Sequence, residues 1–101
     1  MAGEEIIIVA TFVAKPGDEK VVREMLLALI RTTKKEPGYI QYDLHQSIQD
    51  PCRFVFYEIW QDRATFALHA NSDVMQKHRA KIAGMLQFEE VIDCVKLPAP
   101  E

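Results

Sequence analysis

The chain has 101 residues, of which 49% are hydrophobic, with a formal net charge of −3 and a pI near 5.6. This length predicts one domain over residues 1–101, and the negative balance disfavours nucleic acid and anionic membrane as main partners. The longest apolar run, residues 6–10, is far below the roughly 20 residues of a membrane-spanning helix, and the start MAGEE is acidic where a secretory signal is basic. We therefore expect a cytoplasmic protein in which Cys52 and Cys94 are free thiols.

The first third of the chain predicts a strand followed by an amphipathic helix. Residues 6–13 are β-rich and nearly all apolar, which is typical of a strand covered on both faces, and the turn residues KPGD end it. Asp18 is expected to cap a helix with apolar residues at helical spacing, namely Val21, Val22, Met25, Leu26, Leu29 and Ile30. The EPG sequence at 36–38 ends this helix, because the residue before a proline disfavours helix and Gly38 can adopt a left-handed turn.

From residue 39 the apolar period changes to two, which predicts a hairpin. In its first strand one face carries Ile40, Tyr42 and Leu44, and the other carries Tyr39, Gln41, Asp43 and His45. An Asp-Pro turn at 48–52 leads to a second strand, RFVFYEIW. One face of that strand carries Phe54, Phe56, Glu58 and Trp60, and the other carries Val55, Tyr57 and Ile59.

The last third predicts two helices and a strand. Asp62 can cap a short helix that runs to His69, and Ser72 can cap a second helix. The buried stripe of the second helix is expected to contain Val74, Met75, His78, Ile82, Met85 and Leu86. Residues 89–97 are expected to form the final strand, before a PAPE tail that cannot continue it.

The element order β-α-β-β-α-β predicts a ferredoxin-like α+β subunit, in which an antiparallel sheet carries its helices on one face. A chain of this size has little room to enclose an organic substrate, and its first strand is apolar on both sides. A second subunit packed sheet on sheet would cover the apolar side that the helices leave open. We therefore expect a homodimer.

Glu58 is the most unusual residue of the pattern, because it alternates in register with three aromatic side chains. Burial would raise the pKa of its carboxyl group toward the range that is useful for proton transfer, so Glu58 is a candidate general base. The alternative is a structural salt bridge, formed across a subunit interface with Arg53 or Arg63.

Other side chains near the hairpin could bind a ligand or move a proton. Trp60 could stack on a flat substrate, and the hydroxyl groups of Tyr42 and Tyr57 could orient a phenolic oxygen, although packing roles are open for each. His45 and His69 can exchange protons at neutral pH. Neither has metal-ligand spacing to another His, Cys or Asp, so no metal is inferred, and His78 is expected to be a hydrogen-bonded core histidine.

The segment EPGYIQYDLHQSIQDPCRFVFYEIWQDRATFALHANS, residues 36–72, resembles the antibiotic biosynthesis monooxygenase (ABM) family, especially its small quinol monooxygenases. The resemblance implies a dimeric α+β barrel that oxygenates a quinol, phenol or polyketide-like substrate with dioxygen, and without flavin, haem or metal. An electron-rich phenolate can itself reduce dioxygen, so the protein need only bind the ring, deprotonate it and exclude water.

The resemblance also assigns roles. It implies catalytic roles for His45, Glu58 and His69, and substrate contacts for Trp60 with Tyr57 beside it. Three alternatives stay open on the same fold. They are an isomerase or processing enzyme for a small phosphorylated signalling molecule, a haem-degrading enzyme, and a dimeric small-molecule-binding module without turnover.

Overall fold

The computed structural model describes residues 4–100, and its centre is a four-stranded antiparallel sheet. The strands are β1 (Ile6–Ala14), β2 (Tyr39–Gln46), β3 (Arg53–Trp60) and β4 (Leu86–Cys94). Their order across the sheet is β2-β3-β1-β4, so β1 and β3 are central and β2 and β4 form the edges. Every neighbouring pair of strands is antiparallel.

The helices α1 (Glu19–Thr33), α2 (Arg63–Ala70) and α3 (Asp73–Ile82) pack on one face of this sheet. The predicted ferredoxin-like α+β fold, with its second helical region divided, is therefore confirmed. Asp62 caps α2 by accepting a hydrogen bond from the Thr65 backbone N–H at 2.9 Å, and Ser72 caps α3. Asp18 precedes α1 without a side-chain capping bond, which corrects the expected cap.

The core lies between the helices and the sheet face formed by alternate strand residues. On β1 this face contributes Ile6, Ile8, Ala10 and Phe12, and on β3 it contributes Phe54, Phe56 and Trp60. Val22, Leu26 and Leu29 of α1 pack against these side chains. Burial of this apolar surface is the main force that holds α1 on the sheet.

The opposite face of the sheet, which we call the open face, is apolar at its centre. Val9 of β1 pairs there with Tyr57 of β3 and Ile92 of β4, and the next row joins Ile59, Ile7 and Cys94. Gln41, Asp43 and His45 of β2 form a polar border to these rows. No helix among residues 4–100 is long and apolar enough to cross a lipid bilayer.

Three further expectations about the elements are wrong in detail. Ile40 is exposed and Tyr39 packs against the core, because the β2–β3 register shifts between Tyr39 and Gln41 and reverses the alternation there. The last strand is Leu86–Cys94 rather than 89–97, because a 3-10 turn at Ala83–Met85 ends the helix early and the pairing of β4 with β1 ends at Cys94, opposite Ile7. Val74 is exposed instead of buried.

Candidate active site

A pocket of about 110 Å³ lies between the sheet and the helices α2 and α3. The sheet contributes Ile8, Ala10, Phe12, Tyr42, Phe56, Glu58 and Val91 to its lining, and the helices contribute Leu29, Phe66, His69, Ala70, Met75, His78 and Arg79. Most of these side chains are apolar, and the titratable ones come from four different elements. The pocket is therefore an apolar space with a few convergent polar groups, which is the usual form of a small-molecule site.

Glu58 lies on the pocket wall in register between Tyr42 of β2 and Ile8 of β1. Its side chain is only 4% exposed, and its Oε1 accepts a hydrogen bond from Trp60 Nε1 at 2.9 Å. Burial raises the pKa of Glu58 to about 7, although the hydrogen bond from Trp60 acts in the opposite direction. Close to neutral pH this carboxyl group can therefore both take up and release a proton.

His69, in the last turn of α2, is 3% exposed and lines the same pocket. Its ring packs against Trp60 with centroids 4.6 Å apart, and its Nδ1 lies 2.6 Å from Oε1 of Glu36. Burial lowers the pKa of His69, while the bond to Glu36 acts to raise it. The neutral ring is thereby favoured near pH 7, and a neutral imidazole is a base.

Tyr42 is fully buried and stacks on Phe56, with ring centroids 4.5 Å apart. Burial, followed by the charge of the neighbouring Glu58, raises the pKa of its phenol well above the ordinary value. The phenol of Tyr42 therefore stays protonated at any physiological pH.

His78 and Arg79 of α3 add two more nitrogen-bearing side chains to the lining. His78 is buried, but its Nε2 has no hydrogen-bond partner among residues 4–100, which corrects the expectation of a hydrogen-bonded core histidine. Burial lowers the pKa of His78, and the charge of Arg79 acts in the same direction. Arg79 also donates a hydrogen bond at 2.7 Å to the backbone oxygen of Ala70, which ties α3 to the end of α2.

The structure brings together only some of the predicted site residues. Glu58, His69 and Tyr42 share the pocket, and Trp60 lies behind it, in contact with both Glu58 and His69. His45 and Tyr57 are on the open face, where Nδ1 of His45 is 3.1 Å from the Val55 carbonyl oxygen. The sheet itself therefore separates these two residues from the pocket.

Within one chain, residues 4–100 form no salt bridge between Glu58 and Arg53 or Arg63, and the bridge across a subunit interface stays a prediction. Arg63 pairs instead with Asp93, at 3.3 Å on the surface. The partner of the Glu58 carboxyl group is the indole N–H of Trp60, which is a neutral donor.

Sequence reasoning missed Glu36, Phe66 and Arg79. Phe66 and Arg79 had a detectable signal, because the pocket residues of each helix follow the i, i+3, i+4 spacing of one helix face. On α2 these residues are Phe66, His69 and Ala70, and on α3 they are Met75, His78 and Arg79. Glu36 had none, since it lies 33 positions before His69 in the chain. No cluster of three or more His, Cys, Asp or Glu side chains that could hold a metal ion occurs among residues 4–100.

Comparison with known proteins places this chain in a family. Residues 5–81 match the family model described as Antibiotic biosynthesis monooxygenase. The "Putative monooxygenase Rv0793" of Mycobacterium tuberculosis is 28% identical over 81 residues, which cover 80% of this chain and 79% of that protein. The Synechocystis protein sll1783 is 25% identical over 96 residues, which are 95% of this chain, but the chain spans only 65% of the length of that relative.

The fold is also shared with solved structures. The crystal structure of PA3566 from Pseudomonas aeruginosa superimposes with a TM-score of 0.90 at 28% sequence identity, and the match covers 97% of this chain and 99% of that one. Both the sequence and the topology are therefore similar over nearly the whole domain.

Proposed function

We propose that this chain, which belongs to the antibiotic biosynthesis monooxygenase family, binds a small phenol or quinol in its pocket and oxygenates it with dioxygen. The observation that carries the proposal is the pairing of two buried proton-exchanging groups, Glu58 and His69, on one apolar wall. Either group can take the phenolic proton at neutral pH, since burial raises the pKa of Glu58 to about 7 and keeps His69 neutral.

Deprotonation is the step for which this wall is suited. A phenolate is electron-rich and can transfer an electron to dioxygen, whereas the neutral phenol does so poorly. The apolar lining keeps water away from the intermediates that follow. Trp60 holds the Glu58 carboxyl group in place through its indole N–H and supports the His69 ring from one side.

The electron balance requires no external reductant when the substrate is a quinol. A quinol and dioxygen contain the atoms of a hydroxyquinone and one water molecule. The quinol supplies all four electrons that reduce the two oxygen atoms, one of which enters the ring while the other leaves as water. The role of the protein is then to bind, to move protons and to exclude solvent.

The size of the pocket favours a single ring over a polycyclic substrate. Its volume of about 110 Å³ is of the same order as the cavity of roughly 150 Å³ that accepts benzene in an engineered protein core. Drug-sized ligands occupy pockets of roughly 300–1,000 Å³. A polyketide-like substrate with several fused rings would require the helices α2 and α3 to move away from the sheet.

The open face supports a second part of the proposal, a homodimer packed sheet on sheet. Phe88, Ile92 and Tyr57 are each more than a third exposed on this face, and the polar residues of β2 border them along one edge of the sheet. An apolar centre within a polar rim is the usual composition of a protein interface. A twofold axis would bring two copies of the same patch together.

The experiment that tests the proposed chemistry is oxygen uptake by metal-free and flavin-free protein across a panel of monocyclic quinols and phenols, corrected for autoxidation and read with product mass. Uptake with one added oxygen atom in the product is the expected result. Glu58→Gln and His69→Ala should each lower turnover by about 100-fold or more while the protein stays folded. Glu24→Gln, an exposed carboxylate on α1, is the matched control.

Two results would overturn the proposal. Turnover that proceeds equally well under nitrogen indicates an isomerase or another reaction without oxygen. A ligand that raises the melting temperature but is recovered unchanged under oxygen indicates a binding module.

A further inference from the structure

We propose that Glu36 is the positioning residue of His69: its carboxylate accepts a hydrogen bond from Nδ1–H, fixes the neutral ring in the Nδ1–H form and leaves Nε2 as the basic nitrogen of the pocket wall. The inference rests on the proposed function in one respect only: the proton that Nε2 would accept comes from the proposed phenol or quinol substrate. The distance of 2.6 Å between His69 Nδ1 and Glu36 Oε1 is that of a strong, charge-assisted hydrogen bond.

The surroundings of the ring leave its two nitrogen atoms in different environments. On one side, His69 and Glu36 line a second, more open cavity together with Pro37, Thr65 and Leu68. On the other side, His69 lines the apolar pocket, to which Glu36 does not contribute. Nε2 has no hydrogen-bond partner among residues 4–100, whereas Nδ1 is bound to the carboxylate. A histidine tautomer is set by the bond that its other nitrogen makes.

The backbone turn that contains Glu36 is fixed against α2, which keeps the Glu36 carboxylate close to His69 Nδ1. Gly38 has a φ of +77°, and a Cβ at this position would overlap the side chain of Thr65 in the first turn of α2. The Gln61 backbone N–H donates to the Gly38 carbonyl oxygen at 2.8 Å, which fastens the same turn to the start of α2. Thr65 and His69 are four residues apart, so they lie on one face of the helix.

The turn therefore meets α2 at two successive points, Gly38 against Thr65 and Glu36 against His69. Because Gly38 approaches the helix so closely, the carboxylate two residues earlier is brought within reach of the imidazole ring. A residue larger than glycine at position 38 would push the turn outward and lengthen the second contact.

Several charged and titratable groups besides Glu36 act on the His69 ring, and together they set its pKa. The titratable and charged side chains around His69 are Glu36, Tyr42, Glu58, His78 and Arg79. Arg79 acts to lower the pKa of His69, and Glu36 acts to raise it. Glu36→Gln keeps a side chain of the same size but removes the charge, so the pKa of His69 should fall below its value in the unmodified protein.

The test is long-range 1H–15N NMR of the imidazole nitrogens across a pH series, which reads tautomer and pKa without any substrate. In the unmodified protein, neutral His69 should be protonated on Nδ1. Glu36→Gln should lower the pKa of His69 and populate the Nε2–H form, whereas Glu24→Gln should change neither. A ring already protonated on Nε2 in the unmodified protein, or an unchanged spectrum in Glu36→Gln, overturns the inference.

Activity supplies a second readout that separates this inference from the proposed function. With a quinol that supports oxygen uptake, Glu36→Gln should lower kcat by about 10-fold or more and move the acidic limb of the pH profile to lower pH, with a smaller change in KM. If Glu36→Gln still supports oxygen uptake and changes neither the His69 tautomer nor the pH profile, the positioning role of Glu36 is refuted and the proposed function stands. If Glu36→Gln alters the His69 NMR signals as expected but the unmodified protein takes up no oxygen with any quinol, the Glu36–His69 interaction is supported and the oxygenase function is refuted.

Discussion

The buried carboxyl group of Glu58 links the chemistry of the pocket to the stability of the fold. In the folded protein its pKa is about 7, whereas the ordinary value is 4.5. Between these two pH values the folded state holds a proton that the unfolded chain has released, so unfolding becomes easier as the pH rises. The stability that this group contributes is complete below about pH 4.5 and is lost as the pH passes through 7.

Glu58→Gln should remove this dependence, because the amide imitates the protonated acid and its oxygen can still accept the Trp60 hydrogen bond. We expect the variant to be more stable than the unmodified protein at pH 8 by up to ~3 kcal/mol, and nearly equal at pH 4.5. Denaturant unfolding at both pH values measures this difference. The buried histidines act in the opposite direction, since their lowered pKa values favour folding at higher pH, but they are present in both proteins. Equal free energies of unfolding for Glu58→Gln and the unmodified protein at pH 8 would show that ionisation of Glu58 does not destabilise the fold.

At the scale of elements, the turn between α1 and β2 offers a clean test of close approach. Gly38 and Gly17 both have positive φ, at +77° and +98°, but an added Cβ meets Thr65 at position 38 and nothing within 4 Å at position 17. Gly17→Ala should cost about 1–2 kcal/mol from the backbone alone. Gly38→Ala should cost about 1–3 kcal/mol more, from overpacking against α2. If Gly17→Ala and Gly38→Ala lower the free energy of unfolding equally in thermal unfolding, the close contact between Gly38 and Thr65 is contradicted.

Element order was predictable because strong local signals marked most of the boundaries. Period-two alternation placed Glu58 beside Phe56 and Trp60, and the capping residues Asp62 and Ser72 divided the second helical region. The register shift at Ile40 was not predictable, since it depends on how β2 meets β3 rather than on either strand alone. The end of β4 depends in the same way on where β1 begins.

The site was predictable only where its residues lie on periodic elements. Glu58, His69 and Tyr42 could be singled out from alternation or helix spacing, and they meet in one pocket. Glu36 follows a helix in an irregular turn, and its contact with His69 is created by the packing of that turn on α2. His45 has the same residue type and strand context as a pocket residue, but its parity on β2 places it on the other side of the sheet.

At the scale of the whole molecule, the proposed dimer predicts a mass near twice the 11.6 kDa of one chain in light scattering or sedimentation. Phe88→Glu should shift that mass toward one chain, because Phe88 is 45% exposed on the open face and a charge there would be buried between two sheets. Val21→Glu is the control, since Val21 is 49% exposed on α1, away from the sheet. A single-chain mass for the unmodified protein would refute the dimer.

The alternation along β3 means that the proposed substrate pocket and the proposed dimer interface occupy one strand without sharing a side chain. Phe56 and Glu58 contribute to the pocket, while Val55 and Tyr57 point to the open face. A mutant library restricted to the even positions of this strand could therefore alter substrate preference while assembly stays intact. Insertion of one residue would have the opposite outcome, because it would exchange the two sets and abolish the pocket and the interface at once.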